Sequence, residues 1–475
     1  MDDKLAAVLD AVDAGLDASL ERLFDLLRIP SISTDPAHKP DCQRAADWIA
    51  AELNGLGFAA AARPTPGHPM VVAHSSAAAS GPHVLFYAHN DVQPVDPLSH
   101  WEIPPFEPRL VPVDGGGTWI VGRGASDDKG QLMTFVEACR AWKTAAGGLP
   151  IKVTILFEGE EESGSPSLDA FLQANKDELS VDFALVCDTD MWDATTPAIT
   201  TMLRGLVGEE VEITAANRDL HSGMFGGAAR NPINVLAGIL AETHDADGRI
   251  TIPGFYDGVT ELSAAVQEQW RGLSFDEAKF LGDIGLGIPA GERGRSVLEQ
   301  IWSRPTCEVN GIIGGYTGAG FKTVIPGKAS AKVSFRLVAG QDPAKIRAAF
   351  RDFIRARLPA DCSATFKSHI EAPATSQPSD GLWLSRARTA LGEEWGHAAA
   401  TIGSGGSIPI VGDFKRVLGL DSLLIGFAQL DNRIHSPNEK YDLPSFHRGI
   451  RSWARILAAF AQNGTPSRAR ADQVR

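Results

Sequence analysis

The stretch VLFYAHNDVQPVDP, residues 84–97, decides how this chain is read. It runs as an unbroken apolar segment into His89 and then, two residues later, Asp91. An apolar run of this length with no polar alternation is the pattern of a strand buried on both faces, which occurs in parallel sheets covered by helices. Two more runs have the same character, residues 152–159 (KVTILFEG) and 182–188 (DFALVCD). Between them and the first lies a helical pattern at residues 130–146. Strand, helix and strand in this order imply an α/β parallel sheet, whose functional groups gather just beyond the carboxyl ends of the strands. His89, the glutamates 160–162 and Asp188 all fall there.

Outward from this core, helical spacing covers residues 16–27 and 42–56, the latter ending at Gly57. After residue 205 the pattern changes. Residues 208–216 and 328–338 partly alternate apolar and polar positions, as half-exposed strands do, and helices are expected at 232–243 and 343–358. Residues 423–428 and the helix 443–460 return to the first style. The expected organisation is therefore two domains. Residues 1–205 and 381–475 form a domain with a mixed, mainly parallel sheet, and residues 206–380 form an inserted α+β domain with its sheet covered on one face. A chain of 475 residues exceeds the size at which one core keeps growing, which agrees with two domains.

Composition narrows the function. There are 44 Lys and Arg against 59 Asp and Glu, a net charge of −15, and this sign disfavours nucleic-acid backbones and anionic membranes. The acidic N-terminal segment has no basic leader character, and no apolar run approaches the ~18 residues that span a bilayer. The expectation is a cytoplasmic protein acting on a small molecule or peptide. The five cysteines, Cys42, Cys139, Cys187, Cys307 and Cys362, form no CxxC pair, so any metal must be held by histidine and carboxylate.

Such a site is written in the strand ends. A strand-end histidine alone is more often a packing residue. GRGASDDKG, residues 122–130, sets Asp127 and Asp128 between glycines just before a helix, and helix capping is the plain reading of that. FEGEEESGS, residues 157–165, adds three glutamates at the end of an apolar strand, beside Asp188 at the end of another. So many acids in one place repel unless a cation offsets them. Two divalent ions held by His89, Asp127, Glu162, Asp188 and His435 would bring four positive charges against three negative, and a bridging hydroxide completes neutrality. Nitrogen and oxygen donors suit zinc or manganese. Asp91 then has a role two residues after His89: accepting the other ring N–H fixes the tautomer that leaves one nitrogen for metal.

The succession HNDVQPVDP, GRGASDDKG, FEGEEESGS, DLHSGMFGG, KTVIP, GSGGSIP and HSPNEK resembles the carnosinase and cytosolic non-specific dipeptidase group of co-catalytic metallopeptidases, relatives of carboxypeptidase G, aminoacylase and succinyl-diaminopimelate desuccinylase. The resemblance spans about residues 20–460. It implies a zinc-exopeptidase type catalytic domain with an inserted sandwich that serves as lid and dimerisation domain. It makes Asp127 the bridging ligand, joined to Asp128 by a cis peptide. His89 and Asp188 would serve one ion, Glu162 and His435 the other, with zinc ahead of manganese. In CDTDMW both Asp188 and Asp190 are available, and Asp188 is chosen because it ends the strand directly. Glu161 is implied as the general base for a metal-bridged hydroxide, and His221 as an oxyanion donor supplied by the neighbouring subunit of a homodimer. Arg336, Thr323 and Ser407 are implied to bind the substrate's terminal carboxylate. The expected reaction is hydrolysis of dipeptides or short peptides. The alternative is an N-acyl- or N-carbamoyl-amino-acid amidohydrolase, in which the same cluster would cleave a different amide.

Overall fold

The run HVLFYAH forms the strand His83–His89, in which every residue after His83 is buried. The computed structural model describes residues 2–76, 81–113, 115–377, 381–406 and 408–462. Alternation along this strand sends Phe86 to one face and Tyr87 to the other. Phe86 stacks on Phe135 at 3.6 Å between ring centroids and meets Trp453 edge-on at 5.2 Å. Phe135 lies on the helix Lys129–Ala146 and Trp453 on the helix Leu443–Phe460, so these rings fasten the two helices to one face of the sheet. Each fully buried ring is worth roughly 1.5–3 kcal/mol relative to exposure. On the other face Tyr87 packs edge-on against Phe414.

Among the described residues the sheet has nine strands. Its central four, in the order Lys152–Glu158, His83–His89, Phe183–Val186 and Ser422–Leu424, are parallel. The strand Ser422–Leu424 comes from far along the chain and lies between Phe183–Val186 and the antiparallel Ala198–Leu203. Met70–His74 and Ala59–Arg63 add an antiparallel edge outside Lys152–Glu158. The sheet is thus mixed and mainly parallel at its centre.

The chain divides into two compact units. One comprises Met1–Thr201, Gln377–Ile402 and Asp413–Arg475, and the other Met202–Ser376 with Gly403–Gly412. The stretch Gly403–Gly412, expected with the closing part of the chain, groups with the second unit because Arg204 holds it: the Arg204 N–H donates to Ser404 O at 3.3 Å and its Nε to Gly405 O at 3.1 Å.

The second unit is built on a four-stranded antiparallel sheet in the order Thr306–Gly314, Lys328–Leu337, Gly205–Thr214, Ser363–Ala372. Gly205–Thr214 alternates buried and half-buried residues throughout. Its inner row, with Phe335 and Leu337, packs on Leu236, Ile239, Phe350 and Ile354 of the helices Pro232–Ala241 and Pro343–Arg355. That is a sheet covered on one face. Three short helices between residues 264 and 302, Ala264–Arg271, Glu277–Gly282 and Val297–Trp302, were not expected.

Candidate metal centre and substrate-facing residues

Four loops of the first unit converge at the carboxyl ends of its strands. His89 closes its strand, and its backbone N–H donates to Asp128 Oδ2 at 3.1 Å. Asp127 ends the loop between the strand Thr118–Val121 and the helix Lys129–Ala146, with a cis peptide to Asp128. This loop turns so tightly that a Cβ at Gly130 would lie 1.8 Å from Ala125 O, which accounts for the glycine closing DDKG. Glu161 and Glu162 occupy the single 3-10 turn Glu161–Ser163 after Lys152–Glu158. Asp188 follows Phe183–Val186, and His435 sits on the loop after Ser422–Leu424.

The loops meet through Asp127. Its Oδ1 is 3.0 Å from His89 Nε2 and its Oδ2 is 2.9 Å from His435 Nε2. One carboxylate thus has an imidazole on each oxygen. His435 Nε2 is also 3.4 Å from Glu162 Oε2. His89, Asp127 and Glu162 each bring a donor atom within 4.8 Å of the others. Glu162 Oε1 is buried with no hydrogen-bond partner, an arrangement that costs free energy unless a cation completes it. These donors fit a divalent ion.

Charge reports the same imbalance. Burial pushes the Asp188 carboxyl well above the usual range, with His89 opposing and Asp127, Glu161 and Glu162 adding repulsion. Burial likewise lifts Glu161 to about 7, against a lowering pull from His89 and with Asp91 and Glu162 adding to the rise. Burial opposes ionisation of Asp127, yet hydrogen bonds from His435 and His89 hold its carboxyl below the usual range. The same contact with Asp127, and then Glu162, raises His435 to about 10. The second aspartate of CDTDMW, Asp190, joins Ala428 in an isolated backbone bridge, and burial lifts its carboxyl to about 6 with Asp127 adding repulsion.

Asp91 does more than face His89. The His89 Nδ1 lies 3.1 Å from the Asp91 backbone O and 3.4 Å from its carboxylate. The same carboxylate accepts the backbone N–H of Glu161 at 3.2 Å and of Glu162 at 3.0 Å, so it fixes the glutamate turn as well as the histidine. Gln93, missed in the sequence, donates to Glu162 Oε2 at 2.6 Å. Its place two residues beyond Asp91 in HNDVQ was the available signal.

The substrate-facing candidates of the second unit fall in two places. His221 and Thr323 come together: Leu220–His221 pairs with Val324–Ile325, and the Ser222 N–H donates to Thr323 O at 3.1 Å. His221 Nδ1 accepts the Gly223 N–H at 3.0 Å, which assigns the neutral ring's proton to Nε2, where it is free to be donated. Arg336 stands on Lys328–Leu337 opposite Leu206 and Thr306. Arg204 was not anticipated. Burial lowers it to about 10, with Arg336 contributing repulsion. Ser407 lies outside the described residues.

The pattern of peptidase family M20/M25/M40 matches residues 85–459. The chain belongs to this family of peptidases. Among similar proteins, the Cys-Gly metallodipeptidase of Schizosaccharomyces pombe is 29% identical over 467 residues, covering 94% of this chain and 96% of that protein. The human Beta-Ala-His dipeptidase is 29% identical over 406 residues, covering 84% and 78%. Among solved structures, the M20 family metallo-carboxypeptidase Sso-CP2 from Sulfolobus solfataricus superimposes with a TM-score of 0.79 at 29% identity, covering 93% of this chain and 99% of that one. The resemblance drawn from the seven motifs is borne out.

Proposed function

We propose that this protein is a metal-dependent dipeptidase whose centre holds two divalent ions. The observation that carries the reading is Asp127 with one imidazole on each of its oxygens, a donor set that would hold divalent ions. His89 and Asp188 would hold one ion and Glu162 and His435 the other, with zinc the first choice and manganese the second. When bound, such ions acidify a water to near neutrality and polarise the scissile carbonyl. Glu161 accepts the water's proton and returns it to the leaving amine. Asp91 holds Glu161 and Glu162 in register, and Gln93 aims Glu162. His221 donates from Nε2 to the developing oxyanion, supplied by the neighbouring subunit of a homodimer formed through the second unit, which serves as its lid. The names of the similar dipeptidases support the substrate class. All five cysteines are free thiols, in keeping with a cytoplasmic location. No described helix is long and apolar enough to cross a membrane.

Metal-stripped protein reloaded separately with zinc, manganese and cobalt is expected to regain hydrolysis of dipeptides and to leave N-acetyl and N-carbamoyl amino acids intact. Turnover of the acylated panel alone would overturn the dipeptidase reading in favour of an amidohydrolase.

Arg336 reads the substrate's free carboxylate, with Thr323 and Ser407 as further contacts on that side. A planar guanidinium suits this two-oxygen contact. Arg336→Met is expected to raise KM for free-acid dipeptides about 10- to 100-fold, from the roughly 1.5–3 kcal/mol of a charge-assisted contact, while dipeptide amides change little. Equal effects on both substrates would remove Arg336 from this role.

A further inference from the structure

The loop that carries His435 is held in backbone that residues with a Cβ disfavour. Arg433, His435 and Asn438 have φ of 57°, 61° and 62°, in the left-handed region. The His435 side chain is 54% exposed, so packing does not keep it in place. Its anchors are Asn432 and Glu439, both fully buried.

Glu439 Oε1 accepts the backbone N–H of Ser126 at 2.9 Å and of Asp127 at 3.0 Å. Its Oε2 accepts the Gly124 N–H at 3.0 Å and Arg123 Nη1 at 2.8 Å. Arg123, itself buried, passes the connection on through Nη2 to Pro94 O at 2.9 Å, in the loop that follows His89 and Asp91. Asn432 Oδ1 accepts Ser126 Oγ at 3.0 Å and the Gln429 N–H at 2.6 Å, and its Nδ2 donates to Asp442 Oδ2 at 3.0 Å. A carboxylate four residues after His435 therefore grips the backbone of Asp127 itself. Both its oxygens are already filled by donors, so it is no ligand.

We propose that Glu439 is a positioning residue: an anionic staple that joins the loop of Asp127 to the loop of His435 and so sets the gap between these two side chains. The proposal rests on the metal reading above. The pairing with Arg123 keeps the buried charge compensated. An amide at this position offers one oxygen where two are used, and turns N–H groups toward the donors of Gly124 and Arg123 or of Ser126 and Asp127. The loop then shifts, and the two ligands lose their spacing.

The test uses the full chain stripped of metal, with zinc and then manganese affinity read by competition with a chromophoric chelator, beside kcat, KM and the melting temperature of the metal-free protein. Glu439→Gln is expected to weaken metal binding roughly 10- to 100-fold, the usual effect of losing a group that orients a ligand. Its kcat recovers with added metal while KM stays put. Glu439→Asp keeps the charge opposite Arg123 but is one methylene short, so it should restore the melting temperature without restoring metal affinity. A lower melting temperature with wild-type metal affinity in both variants would overturn the proposal and leave Glu439 a structural residue. Should Glu439→Gln fail to fold, wild-type affinity in Glu439→Asp is enough to overturn it. Failure of the wild-type protein itself to bind zinc or manganese is a separate result, which removes the metal centre and this proposal with it.

Discussion

Glu161→Gln is expected to lower kcat by about 10²–10⁴, the range for loss of a general base, while the protein keeps its full complement of metal. The amide has the shape of the carboxylate and leaves the backbone N–H of residue 161 on Asp91, but it accepts no proton. Elsewhere in the run the outcome differs. Glu162 has one oxygen against His435 and Gln93 and the other buried without a partner, so Glu162→Gln is expected to deplete metal as well as activity. Metal analysis beside a dipeptide assay separates the two variants. If they exchange phenotypes, the roles in the glutamate run belong one residue along.

His221→Ala is expected to lose about 10²–10³ in kcat, the effect of removing one oxyanion donor, with metal content unchanged. The Gly223 N–H on Nδ1 leaves the ring one donor, at Nε2, and alanine removes it without touching the metal-binding unit. Mixing shows whether the donor crosses between subunits. His221→Ala and Glu161→Gln are each expected to be strongly impaired alone, but a heterodimer of the two would carry one site with an intact Glu161 and an intact His221 from its partner. Activity should return, up to one working site per heterodimer. Confirmed exchange by native mass measurement with no recovered activity would show that His221 does not act across subunits.

The parallel core was readable because burial on both faces leaves a strong mark: the strand His83–His89 ends at the histidine its apolar run leads into, and the helices Leu16–Leu27 and Leu443–Phe460 have the extents expected of them. The edge strand Ala59–Arg63 is AAAAR, with no β-branched residue to distinguish it from helix. The strand Gly205–Thr214 begins three residues earlier than its pattern suggested, because alternation is clear only once the polar positions from Glu210 on are reached. The candidate site was legible where it sits at strand ends, as with His89 and the glutamates 160–162. Glu439 and Arg204 were not. An acid followed by a lysine, or an arginine beside a glycine, reads as solvated surface, and only tertiary folding places the first in a buried nest of N–H groups and the second against Gly405 and Arg336.

The strand Ser422–Leu424, lodged between two strands made more than 200 residues earlier, governs when this protein becomes competent during synthesis. Four of the five proposed ligands emerge from the ribosome before residue 190, while His435 follows only after the whole second unit has been translated. Until then the edge of Phe183–Val186 that pairs with this strand stays open, a surface that invites pairing with other chains. Closure of the sheet and completion of the proposed donor set both depend on contacts of long sequence separation, the kind that form slowly. A nascent chain halted short of that strand carries four of the five proposed ligands without His435, so the proposed donor set is completed only by the C-terminal segment.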